Sequence, residues 1–515
     1  MFRSPPSGTV DRLFAEARLL REVEAAAVKT LSESGFEEVI LPLLERADVF
    51  SSEGAVRFVD RHGEVLGLRA DFTGQVARLV STRLRSLKEV RLCYRGVVFH
   101  DVDAWSGDRR QLHQAGFEYF DDGEVAGEVE IIRRALAVCD AAGVGKTRVS
   151  IGSAALIHAL CPDAGPEVRT ALDRRDAGAL PPSLLPLLEL TGNASALERA
   201  RRVLPPAATP ALDRLSAVFA GLGPDAGRAD IDLAEVRPWA YYSGMVFDVF
   251  AEGARGAVAG GGRYQGLASR YGDDRPAVGA SVDIDAIVEL RSGAAGALEA
   301  GPRALTVALP KGRIRKSVLR QLGALGPLAS ELDTRKLVLE GQAPLPSGAR
   351  ASFLLVKDSD VPEYVERGVA DLGFVGLDVL SESPSNVLQP LVTALGRCRM
   401  CLCGRPGTKP AELAARGSLK VASKYPHTAR HHLEARGLPA EIIPLQGSVE
   451  LAVVTGLADV IVDMVETGAT LEANGLVVLE DLMESTARAV VNRGAWRLKA
   501  PDVQAVLQKM KADPV

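Results

Sequence analysis

Asp463 and Glu466 stand at the end of the apolar run Val460-Ile461-Val462 and just before Thr467-Gly468-Ala469-Thr470. Carboxylates at a strand end can accept hydrogen bonds from ribose hydroxyls. A small, hydroxyl-bearing turn that opens a helix can aim backbone N–H groups at a phosphate. The order of strand, acids and small turn therefore suits a ribose carrying a 5′-phosphate. Asp463 and Glu466 would face the ribose; Thr467, Gly468, Ala469 and Thr470 would face the phosphate. A bare strand-to-turn junction needs no acid four positions before its Thr-Gly, and here Asp463 occupies that place.

A second cluster is Leu309-Pro310-Lys311-Gly312-Arg313, where a strand gives way to a helix. A glycine between two cations at a helix start fits polyphosphate oxygens. In Asp371-Leu372-Gly373-Phe374-Val375-Gly376, the glycines Gly373 and Gly376 either let a nucleotide approach the backbone or let a helix pack tightly on the strand. Other motifs carry less. Cys398, Cys401 and Cys403 lack a second Cys/His pair at zinc spacing, so they read as buried thiols. Gly145-Lys146-Thr147 has Asp140 where a phosphate loop needs its first glycine, so it reads as a turn.

These residues need a scaffold, and 515 residues are too many for one hydrophobic core. The small-residue stretch 292–302, SGAAGALEAGP, reads as a linker. Before it, a helix over about 10–34 ends at Gly35. Strands follow near 38–41, 91–99, 116–120, 148–151 and 241–250, with a helical insert over about 154–229 and a tight turn at Gly260-Gly261-Gly262. Strands joined by hairpins, with helices set apart, predict an α+β domain with an antiparallel sheet over 1–291. After the linker, strands near 305–309, 350–356, 371–375, 420–422, 441–444 and 459–462 alternate with helices. That predicts an α/β domain over 303–515 with a mostly parallel sheet and sites at strand ends.

A net charge of −5 without a long basic run argues against nucleic acid as a partner. No apolar run of membrane length and no signal-peptide pattern is found, so no membrane partner and a cytoplasmic location are expected.

Taken in order, LPKGR (309–313), DVPEYVERGVADLGFVGLDVL (360–380), VASKYP (421–426) and GSVELAVVTGLADVIVDMVETGATLEANGL (447–476) resemble the ATP phosphoribosyltransferases of histidine biosynthesis. The resemblance covers about 303–515. It implies two α/β lobes around a cleft, like periplasmic-binding-protein type II folds, with lobe I at about 303–392 and 484–515 and lobe II at about 393–483. It also implies displacement of pyrophosphate from phosphoribosyl pyrophosphate by N1 of ATP, with Mg²⁺. Lys311 and Arg313 would then meet nucleotide or pyrophosphate oxygens, with Arg335 a further cation. The family usually carries Arg where this chain has Lys357, which keeps the charge but loses the bidentate fork. Only 39 residues follow Leu476, which fits the family's short form, a form that depends on a separate regulatory subunit.

Residues 1–290 resemble the catalytic domain of histidyl-tRNA synthetases through LRADFT (68–73), 99–118, RPWAYYSG (237–244), GGRY (261–264) and PAVG (276–279). Three departures bear on function. Positions at which the family places phosphate-binding arginines read His100, Asp108 and Ala286, so adenylation would lose most of its charge stabilisation. The amino-acid pocket is better kept. Asp71, Thr73, Gln114 and Glu118 supply acceptors for an α-amino group and an imidazole N–H, Arg237 could meet a carboxylate, and Tyr241 and Tyr242 could wall the ring. The combined expectation is a transferase with a fused histidine-sensing regulator, likewise a homo-oligomer. Its rivals are an active histidine–tRNA ligase and a non-enzymatic small-ligand binding protein.

Overall fold

Residues 90–99 and 111–120, with their β-branched and aromatic side chains, form a pair of ten-residue strands, Val90–Phe99 and Gln111–Phe120, antiparallel from Val90↔Phe120 to Phe99↔Gln111. The computed structural model describes residues 5–50, 54–102, 108–121, 123–237, 241–272, 275–293, 305–312, 314–328, 336–415, 417 and 419–511. The chain divides into two compact units, Met1–Ala300 and Gly301–Val515. Most of the stretch 292–302, together with Arg313 and Arg335, lies outside the described residues.

In the first unit the ten-residue pair belongs to a nine-stranded sheet. Its spatial order is Glu37–Glu38, Val90–Phe99, Gln111–Phe120, Ala277–Asp283, Ala257–Tyr264, Tyr242–Ala251, Thr147–Ser153, Ala229–Asp232 and Thr191–Gly192. Most pairings are antiparallel, but Glu37–Glu38 and Ala229–Asp232 each join in parallel, so the sheet is mixed rather than antiparallel throughout. Helices Phe14–Ser32, Val125–Ala141, Thr209–Gly221 and Ile284–Arg291 bury their apolar stripes on one face, around Phe117, Ile131, Ile151 and Phe247. A smaller cluster around Phe72, Tyr94, Phe120 and Tyr264 covers the other face.

Gly260-Gly261-Gly262 is not a turn. All three sit inside the strand Ala257–Tyr264 and pair on both sides. A Cβ at Gly261 would meet Gly279 O at 2.0 Å, so these glycines exist for close approach of neighbouring strands and side chains.

The second unit carries two sheets, which form two lobes. The first runs Val338–Pro344, Arg350–Val356, Thr306–Pro310, Leu372–Gly376, Ala487–Val491, Leu388–Val392. The second runs Glu441–Pro444, Lys420–Ser423, Val460–Val465, Cys398–Gly404, Val477–Ser485. Neither is mostly parallel. The strand Val338–Pro344 folds back on Arg350–Val356, and Ala487–Val491 returns from the second lobe to insert antiparallel between its neighbours. Each lobe keeps a parallel core of three strands, whose C-terminal ends matter below.

Five of the six cysteines are buried and Cys161 is half-buried. Burial pushes the Cys401 and Cys403 thiols up to about 12. Among the described residues, no group of three or more His, Cys, Asp or Glu side chains is placed to hold a metal ion, and no helix is long and apolar enough to cross a membrane.

Candidate active site and ligand pocket

Parallel register brings the second unit's charged residues together. Pro310 and Val356 are partners, so the chain leaves two neighbouring strands at Lys311 and Lys357, both exposed at the same sheet edge. The Lys311 N–H donates to Val356 O at 2.8 Å, and a Cβ on Gly312 would lie 3.7 Å from Asp358 Oδ2. In the other lobe Ser423 pairs with Val462, so Lys424 and Asp463 occupy the next positions of adjacent parallel strands. This is the crevice edge at which open α/β sheets bind ligands.

Asp463 is half-buried and its Oδ1 accepts the Met464 N–H at 2.8 Å. Burial raises its pKa and Glu450 adds to the rise, while Lys424 opposes it. Glu466, Thr467, Ala469 and Thr470 are exposed. Gly468 has φ 80° at the cap of the helix Ala469–Ala473, a left-handed conformation that suits glycine. Thr467 Oγ1 accepts the Ala469 N–H at 3.4 Å.

Tyr425 marks where the lobes face each other. Its phenol is raised well above its ordinary value by burial first, then by Asp378, with Asp463 and Asp358 adding to it. One hydroxyl thus feels acids from both lobes. Gly373 and Gly376 are both sites of close packing. A Cβ on Gly373 would sit 2.6 Å from Val361 Cγ1, and one on Gly376 would sit 2.1 Å from Asp378 Oδ1. The first makes room for the helix Val361–Glu366, the second for the Asp378 carboxylate.

The first unit holds a cavity with about 530 Å³ of empty space, part of it open to solvent. Asp71, Thr73, Gln114, Glu118, Arg237, Tyr241 and Tyr242 all line it. At its floor Glu118, 2% exposed, accepts from Tyr264 OH at 2.9 Å, Thr73 Oγ1 at 3.0 Å and Tyr94 OH at 3.1 Å. Burial pushes Glu118 up to about 7 against the pull of those three hydroxyls. Burial also raises Asp71, whose Oδ1 accepts the Gly74 N–H at 3.1 Å. Gly279 is obligatory beside it, because a Cβ there would lie 1.6 Å from Glu118 Oε2. Tyr241 tilts onto Tyr242 with ring centres 4.7 Å apart and meets Tyr264 edge-on at 5.8 Å. Arg237 is ion-paired with Asp248 across Gly260, so its guanidinium enters the cavity wall already engaged.

His100, Asp108 and Ala286 stand in different surroundings. His100 Nε2 lies 3.0 Å from Ala70 O at the cavity wall. Asp108 is exposed. The Ala286 N–H donates to Asp283, which caps the helix Ile284–Arg291. Nearby cations face acids: Asp285, 1% exposed, pairs with Arg12 and accepts the His113 N–H at 2.7 Å, and Arg109 pairs with Glu289.

Sequence reasoning missed Lys424, Tyr425 and Asp378 in the second unit, and Tyr94, His100 and Tyr264 in the first. Lys424 was reachable by pairing the two predicted strands in parallel, since it follows one at the level where Asp463 follows the apolar run of the other. Tyr94 is a buried strand residue with no local signal.

Comparison with known proteins agrees with this division. The family model described as histidyl-tRNA synthetase matches residues 8–287, and that described as ATP phosphoribosyltransferase matches residues 357–512. An ATP phosphoribosyltransferase of Anaeromyxobacter sp. (strain K) is 43% identical over 211 residues, 40% of this chain and 92% of the relative. One from Thermus thermophilus is 41% identical over 209 residues, 40% of this chain and 96% of the relative. A solved ATP phosphoribosyltransferase regulatory subunit/histidyl-tRNA synthetase from Bacillus halodurans is similar in fold, with a TM-score of 0.52 at 22% identity, covering 69% of this chain and 93% of that one. The chain belongs to the histidyl-tRNA synthetase family through its first unit and to the ATP phosphoribosyltransferases of histidine biosynthesis through its second, a synthetase-like regulatory domain fused to a short-form enzyme.

Proposed function

We propose that the second unit binds the ribose phosphate of phosphoribosyl pyrophosphate on Asp463, Glu466 and 467–470, and that Lys311 and Lys357 meet pyrophosphate and nucleotide oxygens, with Arg313 and Arg335 as further cations. The observation that carries this reading is the register that sets Lys311 beside Lys357 and Lys424 beside Asp463 at strand C-termini. N1 of ATP displaces pyrophosphate at C1 of the ribose. Positioning supplies most of the rate, and the Asp463 carboxylate stabilises the oxocarbenium-like charge that develops at C1. Lobe limits near 303–392 with 484–515 and 393–483, of the periplasmic-binding-protein type II kind, suit this two-sided cleft.

Mg²⁺ fits the donor set in one way. It typically takes one or two protein carboxylates together with substrate phosphates. Glu466, exposed beside the small turn, is the carboxylate that would hold it together with substrate oxygens. Bound there, it shares the negative charge of the pyrophosphate.

The pocket of 1–291 we read as a histidine sensor. A buried acid held by three hydroxyls suits an ammonium group, Asp71 and Gln114 suit the imidazole, and the tyrosines wall the ring. Histidine binding there lowers transferase activity through a coupling of about 1–3 kcal/mol. The ligase reading is disfavoured by His100, Asp108 and Ala286, which leave a triphosphate without cations at those positions. A cytoplasmic homo-oligomer, without nucleic acid or membrane as partner, completes the reading.

The test is pyrophosphate release from the full chain given ATP, phosphoribosyl pyrophosphate and Mg²⁺, with and without histidine. Release that needs both substrates and falls with histidine supports both sites. Release indifferent to histidine removes the sensor. Histidine-driven ATP–pyrophosphate exchange would restore the ligase reading.

A further inference from the structure

The two lobes of the second unit are tied by more than their covalent crossings. The helix Leu377–Glu382 of the first lobe packs against the helix Pro426–Ala435 of the second. Asp378 and Glu382 are four positions apart and so share one face of their helix. Asp378, 8% exposed, accepts Tyr425 OH at 3.2 Å through Oδ2 and Ser485 Oγ at 2.8 Å through Oδ1. Glu382 accepts the His427 N–H at 3.0 Å, the Thr428 N–H at 2.9 Å and Thr428 Oγ1 at 2.9 Å. These are first-turn donors that the helix Pro426–Ala435 cannot satisfy itself, and a carboxylate is favoured at that end.

Ser485 closes the strand Val477–Ser485, just where the chain crosses back to the first lobe at Thr486, whose carbonyl accepts the Leu377 N–H at 3.1 Å. The grip is therefore at the crossing itself. On its other side, the Tyr425 N–H donates to Ser423 Oγ at 2.8 Å, and Ser423 Oγ–H donates to Val462 O at 2.6 Å. Lys424 lies between those two anchored residues and next to Asp463 in register. The turn that carries Lys424 is thus fastened by side chains to the first lobe and by Ser423 to the strand that bears the proposed ribose acid.

We propose that Asp378, Glu382 and Tyr425 form a pivot that sets the angle between the lobes, and that they act as positioning residues for the transferase. Any opening or closing of the cleft must rotate about these hydrogen bonds or break them. The pivot brings Lys424 and Asp463 to face Lys311 and Lys357, and a misplacement near 1 Å costs about a hundredfold in such reactions. The substrate assignment rests on the reading above, but the pivot is tested separately from it.

The experiment compares the full chain with Tyr425→Phe, Glu382→Gln and the conservative Glu382→Asp. It measures steady-state pyrophosphate release and, independently, phosphoribosyl pyrophosphate binding by calorimetry. The expected result is that kcat falls at least about tenfold in Tyr425→Phe and Glu382→Gln. Calorimetric affinity stays within about threefold, because each lobe still holds its own half of the ligands, and Glu382→Asp recovers part of the rate. An unchanged kcat in both variants overturns the pivot. So does an equal loss of affinity and kcat, which would mean damage to the ligand site instead. If Tyr425→Phe does not fold, the half-buried Glu382 pair decides by the same criteria. A wild-type protein that neither binds phosphoribosyl pyrophosphate nor releases pyrophosphate would overturn the substrate assignment and with it the pivot's role, whereas a wild type that does both, with kcat unmoved in the variants, overturns the pivot alone.

Discussion

Glu118 and Asp463 are both acids proposed to meet a ligand, but they stand in opposite surroundings. Glu118 is 2% exposed and already holds three hydroxyls. Asp463 is half-buried at a sheet edge beside an exposed turn, with a single backbone donor on Oδ1. The first pocket is prebuilt and its polar network is fixed by burial. The second site is spread over two lobes and needs them at the right angle. A sensor profits from a rigid site whose charge state responds to its ligand. A transferase profits from a cleft that admits two large anionic substrates and then assembles around them.

Breaking this contrast on the open side has the largest expected effect. Asp463→Asn is expected to lower kcat by about 10²–10³-fold in the pyrophosphate-release assay, since it removes the carboxylate proposed to stabilise the developing cation. A loss below tenfold would mean that Asp463 only shapes the turn.

On the closed side, Glu118→Gln is expected to weaken histidine binding by about 2–3 kcal/mol, read by calorimetry on the full chain. The pH dependence follows from the same residue. Its pKa in the empty pocket, raised to about 7 by burial, lies above the unfolded value. The stability it contributes is therefore fully present below the unfolded pKa and is lost as pH rises through about 7. A bound ammonium reverses that preference. Histidine is expected to bind more tightly at about pH 8 than at about pH 6, and to release protons between, beyond those its own imidazole accounts for. Calorimetry in buffers of different ionisation heat measures the release, and Glu118→Gln should abolish the excess.

Gly279→Ala sharpens the claim that the pocket is rigid. Its Cβ would lie 1.6 Å from Glu118 Oε2, and overpacking of this kind costs about 1–3 kcal/mol. A lowered melting temperature together with weakened histidine binding is expected; a neutral result would show that the floor can shift. The smallest effect is expected at the exposed Lys357. Lys357→Arg restores a bidentate fork and should change kcat/KM by no more than about threefold, because the site edge is open and the charge is kept.

Much of the chain could be read without its structure. Strands expected at 91–99 and 116–120 are there, the second beginning five residues earlier, at Gln111, and 350–356 and 441–444 match their observed strands end to end. Lobe topology was read less well. β–α alternation suggests parallel sheets, but a hairpin and a returning strand make the first sheet mixed, and Cys398–Gly404, antiparallel to both its neighbours, makes the second one mixed. One glycine run misled as well. Gly260-Gly261-Gly262 looks like a turn because a local pattern does not reveal which neighbours approach a backbone, while at Gly373, left open between ligand approach and helix packing, a helix packs closely.

What the sequence determined by itself is therefore chemical and local: the two families, and the acids ahead of a small turn. Only the tertiary structure decided that Thr73, Tyr94 and Tyr264 would converge on Glu118, that Lys424 would stand beside Asp463, and that Asp378 would bridge Ser485 and Tyr425. The reason is range. A strand or a capped turn is written in a few adjacent residues, whereas these contacts join segments from 24 to 146 positions apart and exist only once register and burial are set.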